Sequence, residues 1–199
     1  MIEVKDVSIH RDGVAVIEHI SFTAHPGNIT AIIGPNGVGK SSLIAALSGD
    51  IPIASGSISI GGAPLENLSI TEAAQLRAVV PQSQRFALAY TVREILEMAG
   101  THDDVQIALE VLEIDNLANR FVSTLSGGEQ QRVSIACALS QSTPILIADE
   151  PLASQDAHSV EVIKDVFREL AQLGSTIIFV AHIPRLQLEW VDQIIEIGN

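Results

Sequence analysis

Eight consecutive residues, Gly34-Pro35-Asn36-Gly37-Val38-Gly39-Lys40-Ser41, restrict this chain more than any other stretch. They match G-x-x-x-x-G-K-[ST] without a mismatch, between an apolar run, Ile29–Ile33, and a helical pattern, Ser42–Leu47. Glycines let backbone N–H groups close around phosphate oxygens where a side chain would block approach. A helix opening at the same point adds the positive end of its dipole. Lys40 supplies a point charge to the β and γ phosphates, the Ser41 hydroxyl can ligate Mg²⁺, and Ser42 follows beside them. A nucleoside triphosphate site is the expectation.

The rest of the chain predicts an α/β fold around that loop. Ile29–Ile33, Ala78–Val80, Ile145–Ala148 and Thr176–Val180 are apolar without alternation, the pattern of strands buried on both faces. Ser159–Leu173 carries apolar residues at helical spacing and stops at Gly174, so right-handed crossovers and a mostly parallel sheet follow. Ile2–Ile9 and Ala15–Ala24, split by Arg11-Asp12-Gly13, read instead as antiparallel strands joined by Ser55–Ile60. The middle is strand-poor, and Thr91-x-x-Glu94 is a capping box opening a helix over Val92–Ala99. One domain over residues 1–199 is expected, with a core of 1–82 and 141–199 and an inserted helical subdomain at about 83–140.

Composition excludes several alternatives. Against 24 acidic residues stand 11 Lys plus Arg, a formal charge of −13, which argues against a nucleic-acid partner and against attraction to anionic lipid. Cys137 is the single cysteine, so no internal disulfide forms and a reducing compartment is expected. The start shows no signal-peptide pattern, and no apolar run approaches the ~18–20 residues of a membrane span. Charged residues are only 18% while hydrophobic ones are 47%, which a well-buried parallel sheet explains by itself or together with an added apolar docking surface.

Two further stretches carry chemistry. Ile145-Leu146-Ile147-Ala148-Asp149-Glu150-Pro151 is an apolar strand ending in two carboxylates, at the strand end where ligands of open α/β sheets collect. Asp149 is placed to hold Mg²⁺ and Glu150 to polarise an attacking water as general base. Leu125-Ser126-Gly127-Gly128-Glu129 precedes the apolar helix Val133–Leu139. Its Ser126-x-x-Glu129 is a capping box, but two consecutive glycines leave bare N–H groups, a second anion site.

These stretches, in order, resemble the nucleotide-binding subunits of ATP-binding-cassette (ABC) transporters over essentially the whole chain. The family implies an ABC cassette of the phosphate-loop NTPase class, with ATP and Mg²⁺ as cofactors and ATP hydrolysis coupled to transport. Leu125–Glu129 stands at the family's LSGGQ signature, with Glu129 in place of Gln. Gln82 resembles the Q-loop glutamine, implied to act in catalysis and to join Ser41 and Asp149 at the metal. Asp156 resembles the D-loop aspartate and His182 the switch histidine at the γ-phosphate. The family also implies a head-to-tail dimer, in which Ser126–Gly128 of one copy covers the ATP held by Lys40 of the other.

Two departures stand out. The D-loop reads Ala153-Ser154-Gln155-Asp156 where the family has SALD, and the position expected to stack on adenine carries His10 or Arg11 rather than an aromatic ring. Arg11 or His10 can stack instead, through cation–π or planar contact, which implies a base-tolerant site.

A single cassette without a membrane span implies separate permease subunits and a place on the cytoplasmic face of the membrane. The candidate groove for the permease lies between core and helical insert around Gln82–Tyr90, where Phe86–Tyr90 is an apolar stretch. Ala78–Phe86 and Thr91–Glu94 are similar to cassettes of haem, iron-siderophore and cobalamin importers, which also use an extracytoplasmic binding protein. A compact exporter cassette and a soluble ABC ATPase of cofactor assembly are the alternatives.

Overall fold

The computed structural model describes residues 1–82 and 90–198. Its centre is a five-stranded parallel sheet made of β3 (Ile29–Ile33), β6 (Ala78–Val80), β7 (Ile145–Asp149), β8 (Thr176–Val180) and β9 (Gln193–Glu196). The order across it is β6-β7-β8-β3-β9, with Ala148 beside Phe179 and Ala31 beside Phe179 on the other flank. A second, antiparallel sheet runs β2-β1-β4-β5, from β1 (Ile2–Arg11), β2 (Val14–Ala24), β4 (Ser55–Ile60) and β5 (Ala63–Pro64).

The unbroken apolar runs have a structural cause. Ile145 and Ile147 of β7 pack on one face, with Leu43 and Leu47 of α1 (Lys40–Ser48) and the inner residues Ile2, Val4 and Ile60 of the antiparallel sheet. Leu146 and Ala148 pack on the other, against Ile163 and Phe167 of α6 (Ala157–Gln172) and Val133 and Ala136 of α5 (Gly127–Ser140). A strand covered on both sides has no solvent face on which to place polar residues. Phe167 and Phe179 are fully buried with ring centroids 5.9 Å apart, and truncating either to Ala costs about 3–5 kcal/mol.

Helix ends follow local chemistry. Helix α6 finishes in a Schellman motif: Gly174 takes φ +96°, its N–H reaches Ala171 O at 2.8 Å and Ser175 N–H reaches Leu170 O at 2.9 Å. The Thr91/Glu94 capping box opens α3 (Val92–Glu97), shorter than the expected Val92–Ala99. Helices α4 (His102–Val111) and α2 (Ile70–Leu76) begin with boxes of the same kind, Thr101/Asp104 and Ser69/Glu72. Among the described residues no helix is long and apolar enough to cross a membrane.

Candidate nucleotide site

The phosphate loop leaves β3 after Ile33 and turns directly into α1, whose first residue is Lys40 rather than the expected Ser42. Two glycines are required by contact. A Cβ on Gly34 would lie 2.4 Å from the Ile197 carbonyl oxygen, and one on Gly39 would lie 2.7 Å from that of Val16. Gly39 also takes φ +103°, so no side chain caps α1 and its first amides are left to face a ligand. Pro35, Asn36 and Gly37 are exposed at the tip, with Val38 half-buried behind them. Lys40 is only 4% exposed, and its Nζ donates to Gly34 O and Pro35 O, both at 2.8 Å. Burial lowers its ammonium below the ordinary range, while the Glu150 and Asp149 carboxylates act in the opposite direction.

Asp149 closes β7, opposite Val180 of β8, and is 6% exposed. Burial pushes its carboxyl above the ordinary range, against the hydroxyl of Ser41, which hydrogen-bonds to it. Its Oδ1 is buried without a hydrogen-bond partner. A buried, unsatisfied carboxylate oxygen beside a serine hydroxyl is the hard-oxygen donor set that Mg²⁺ takes alongside phosphate oxygens and water.

One residue on, Glu150 adopts φ +52°, a conformation that bulky side chains rarely adopt. Its Oε1 lies 2.6 Å from Nε2 of His182, which follows β8. Because β7 and β8 are adjacent and parallel, their carboxyl ends deliver Glu150 and His182 to the same edge. Gln82, just past β6, shares a cleft of about 410 Å³ with Glu150, Ala153 and Ser154, walled on the far side by Gly127, Gln130 and Gln131.

Helix α5 starts six residues earlier than the apolar pattern suggested. Ser126 caps it: Glu129 N–H donates to Ser126 Oγ at 3.3 Å, and Ser126 N–H donates to Glu129 Oε2 at 2.7 Å. The Glu129 side chain is thereby turned onto its own helix, where Arg120 pairs with it at 3.1 Å. Gly127 is exposed, and a Cβ there would meet nothing within 4 Å. Gln155 Nε2 donates to Gly128 O at 3.2 Å, so one of the residues that depart from the SALD pattern ties this helix to the loop after Glu150.

Asp156 caps α6, accepting from Ser159 N at 2.9 Å and Ser159 Oγ at 2.8 Å. Arg11 is exposed at the end of β1, in the hairpin whose next strand contributes Val16 to the phosphate loop. The docking stretch Phe86–Ala89 lies outside the described residues, and Tyr90 beside it is exposed. The loop, Asp149, Glu150 and His182 therefore gather at one edge, whereas no hydrogen bond or ion pair among the described residues links Ser126–Glu129 to the 34–41 loop. Sequence reasoning missed Val16 and Ile197, which act through main-chain carbonyls, and Arg120, for which only the charge complement to Glu129 was a signal.

Comparison with known proteins agrees with this geometry. A profile of the ABC transporter family matches residues 17–153. The hemin import ATP-binding protein HmuV of Chelativorans sp. (strain BNC1) is 39% identical over 197 residues, covering 92% of this chain and 76% of that protein. Its namesake from Streptomyces coelicolor (strain ATCC BAA-471 / A3(2) / M145) is 33% identical, covering 94% and 70%. A solved ATP binding subunit of an ABC transporter superposes with a TM-score of 0.90 at 26% identity, over 100% of this chain and 86% of that one. A bacterial Atm1-family ABC exporter with ATP bound shares the fold, with a TM-score of 0.89 at 24% identity over 99% of this chain and 36% of that one. With a complete phosphate loop, a carboxylate pair at the strand edge and these relatives, the chain belongs to the ABC transporter family, as one of its ATPase cassettes.

Proposed function

We propose that this cassette hydrolyses ATP between two head-to-tail copies of itself and so drives haem import through separate integral-membrane permease subunits. On this reading it sits on the cytoplasmic face of the membrane, held there by the permease, with an extracytoplasmic binding protein delivering the solute. The choice of haem rests on the relatives named for hemin import, at 39% and 33% identity.

The observation that carries the chemistry is the Glu150–His182 pair, 2.6 Å apart at the ends of adjacent parallel strands and electrostatically coupled to the Lys40 region. Glu150 takes the proton of the attacking water, and His182 orients that carboxylate and reaches the γ-phosphate. Lys40 and the α1 amides stabilise charge on the β and γ phosphates. Asp149 and Ser41 would hold Mg²⁺, with Gln82 joining them from the cleft; when bound, the ion neutralises charge on the phosphate oxygens. Gly34–Ser42 binds the triphosphate, Arg11 stacks on the base, and Ser126–Glu129 of the second copy, with Asp156 nearby, covers it. Closure excludes water and raises the effect of each fixed charge. Gln82 adjoins the stretch expected to meet the permease, and passes the state of the site to it.

The test is Glu150→Gln. The variant is expected to bind ATP as the wild type does, to lose at least about a hundredfold in turnover, and to accumulate ATP-dependent dimers on size-exclusion chromatography. Wild-type turnover in this variant would remove Glu150 from the role of base.

A further inference from the structure

The cap of α5 places a negative charge where the proposed reaction requires an anion to land. Glu129 Oε2 accepts from Ser126 N–H, so the carboxylate cannot swing away without breaking the reciprocal half of the capping box. Its other oxygen, Oε1, lies 3.1 Å from Nη1 of Arg120. The guanidinium is itself held: Nη2 donates to Thr124 O at 3.2 Å. The Arg120 backbone is fixed too, its N–H donating to Leu117 O at 2.8 Å and its carbonyl accepting from Val92 N–H at 3.0 Å. Among the described residues, Arg120 is the one cation acting on Glu129.

Stability does not explain this pair. The two side chains are 45% and 23% exposed, and ion pairs that wet contribute little to folding. Their setting changes when a second copy covers the Ser126–Gly128 face. Water then leaves, and an uncompensated Glu129 would oppose the incoming triphosphate at a far lower effective dielectric.

We propose that Arg120 is a positioning residue for ATP hydrolysis: pairing with Glu129, it cancels a fixed negative charge at the end of α5 that receives the partner copy's triphosphate. The proposal rests on the head-to-tail reading above. It predicts that Arg120 matters because Glu129 is charged, and matters less when that charge is removed or screened.

The experiment is a double-mutant cycle on the full chain, reading kcat and KM for Mg-ATP together with thermal melting. Arg120→Gln keeps a donor for Thr124 O and loses the charge; Arg120→Lys keeps the charge. Arg120→Gln is expected to lower kcat/KM about tenfold at low salt, with a smaller deficit at high salt. Arg120→Lys recovers most of the loss. In a Glu129→Gln background, adding Arg120→Gln changes kcat/KM by less than about twofold. An equal loss in both backgrounds, or a loss indifferent to salt, overturns the proposal in favour of a structural role through Thr124. No loss in Arg120→Gln alone overturns it as well. ATP-dependent dimerisation of Glu150→Gln separates the two levels. If that dimer never forms, the head-to-tail reading fails and this proposal with it; if it forms without Arg120–Glu129 coupling, this proposal alone fails.

Discussion

Helices α1 and α5 both open on glycines that offer bare amides, yet they are built in opposite ways. Helix α1 starts from Gly39 at φ +103° with no side-chain cap, and its loop is walled by the carbonyls of Val16 and Ile197, which leave no room for a Cβ at Gly39 or Gly34. Helix α5 starts from Ser126 with a full capping box, and the space at Gly127 is open. The first site brings its own cation, Lys40, buried and held by two loop carbonyls. The second carries a carboxylate at its mouth, paired with an arginine. One helix start is enclosed by its own chain; the other is open at Gly127.

The largest expected break in that comparison is Lys40→Ala. Removing the enclosed cation should weaken ATP binding about a hundredfold, measured by equilibrium titration with a fluorescent ATP analogue. No single substitution in Ser126–Glu129 should match it for binding to one isolated chain, because on the proposed head-to-tail reading that segment serves the other copy's nucleotide.

Next comes an alanine exchange at the two glycine sites. Gly39→Ala forces a Cβ against the Val16 carbonyl at a left-handed φ and should lower stability by about 2 kcal/mol in urea unfolding. Gly127→Ala meets nothing and gains helix propensity, so its unfolding midpoint should hold or rise slightly while turnover falls. Equal destabilisation at both positions would erase the distinction.

The smallest effect is in acid. Hydrogen bonds from Ser126 hold the Glu129 carboxyl below the ordinary glutamate range, with Arg120 adding to the effect. A depressed carboxyl contributes stability above its unfolded pKa and loses it as pH falls through its folded one. Protection of the Ser126, Glu129 and Gln130 amides, relative to their intrinsic exchange rates, should therefore fall as pH drops below the ordinary glutamate range, while the uncapped start of α1 shows no matching step.

How much of this was legible beforehand follows from burial. β3, β6, β7 and β8 were readable because both faces are covered, which leaves uninterrupted Ile and Val. β9 has two apolar residues and a half-buried edge, too little pattern to register. Helix α2 escaped because Ile70 is 91% exposed and breaks the amphipathic period, although Ser69-x-x-Glu72 marked its start. Motif and strand context singled out Lys40, Ser41, Asp149 and Glu150, which the fold brings close together, and the relatives named for hemin import agree with the haem reading. The Glu150–His182 contact joins residues on separate strands, so only sheet order brings it into being.

The wall behind Gly34 reaches further than its one close approach. Ile197 donates its N–H to Ile33 O at 2.9 Å and offers its own carbonyl to the bend where Gly34 begins. Gly198, beside it, leaves no space for a Cβ against Val38. The two residues after β9 thus act as a buttress for the 34–41 loop. A displacement at residue 197 would therefore be felt at Gly34 by leverage through the backbone.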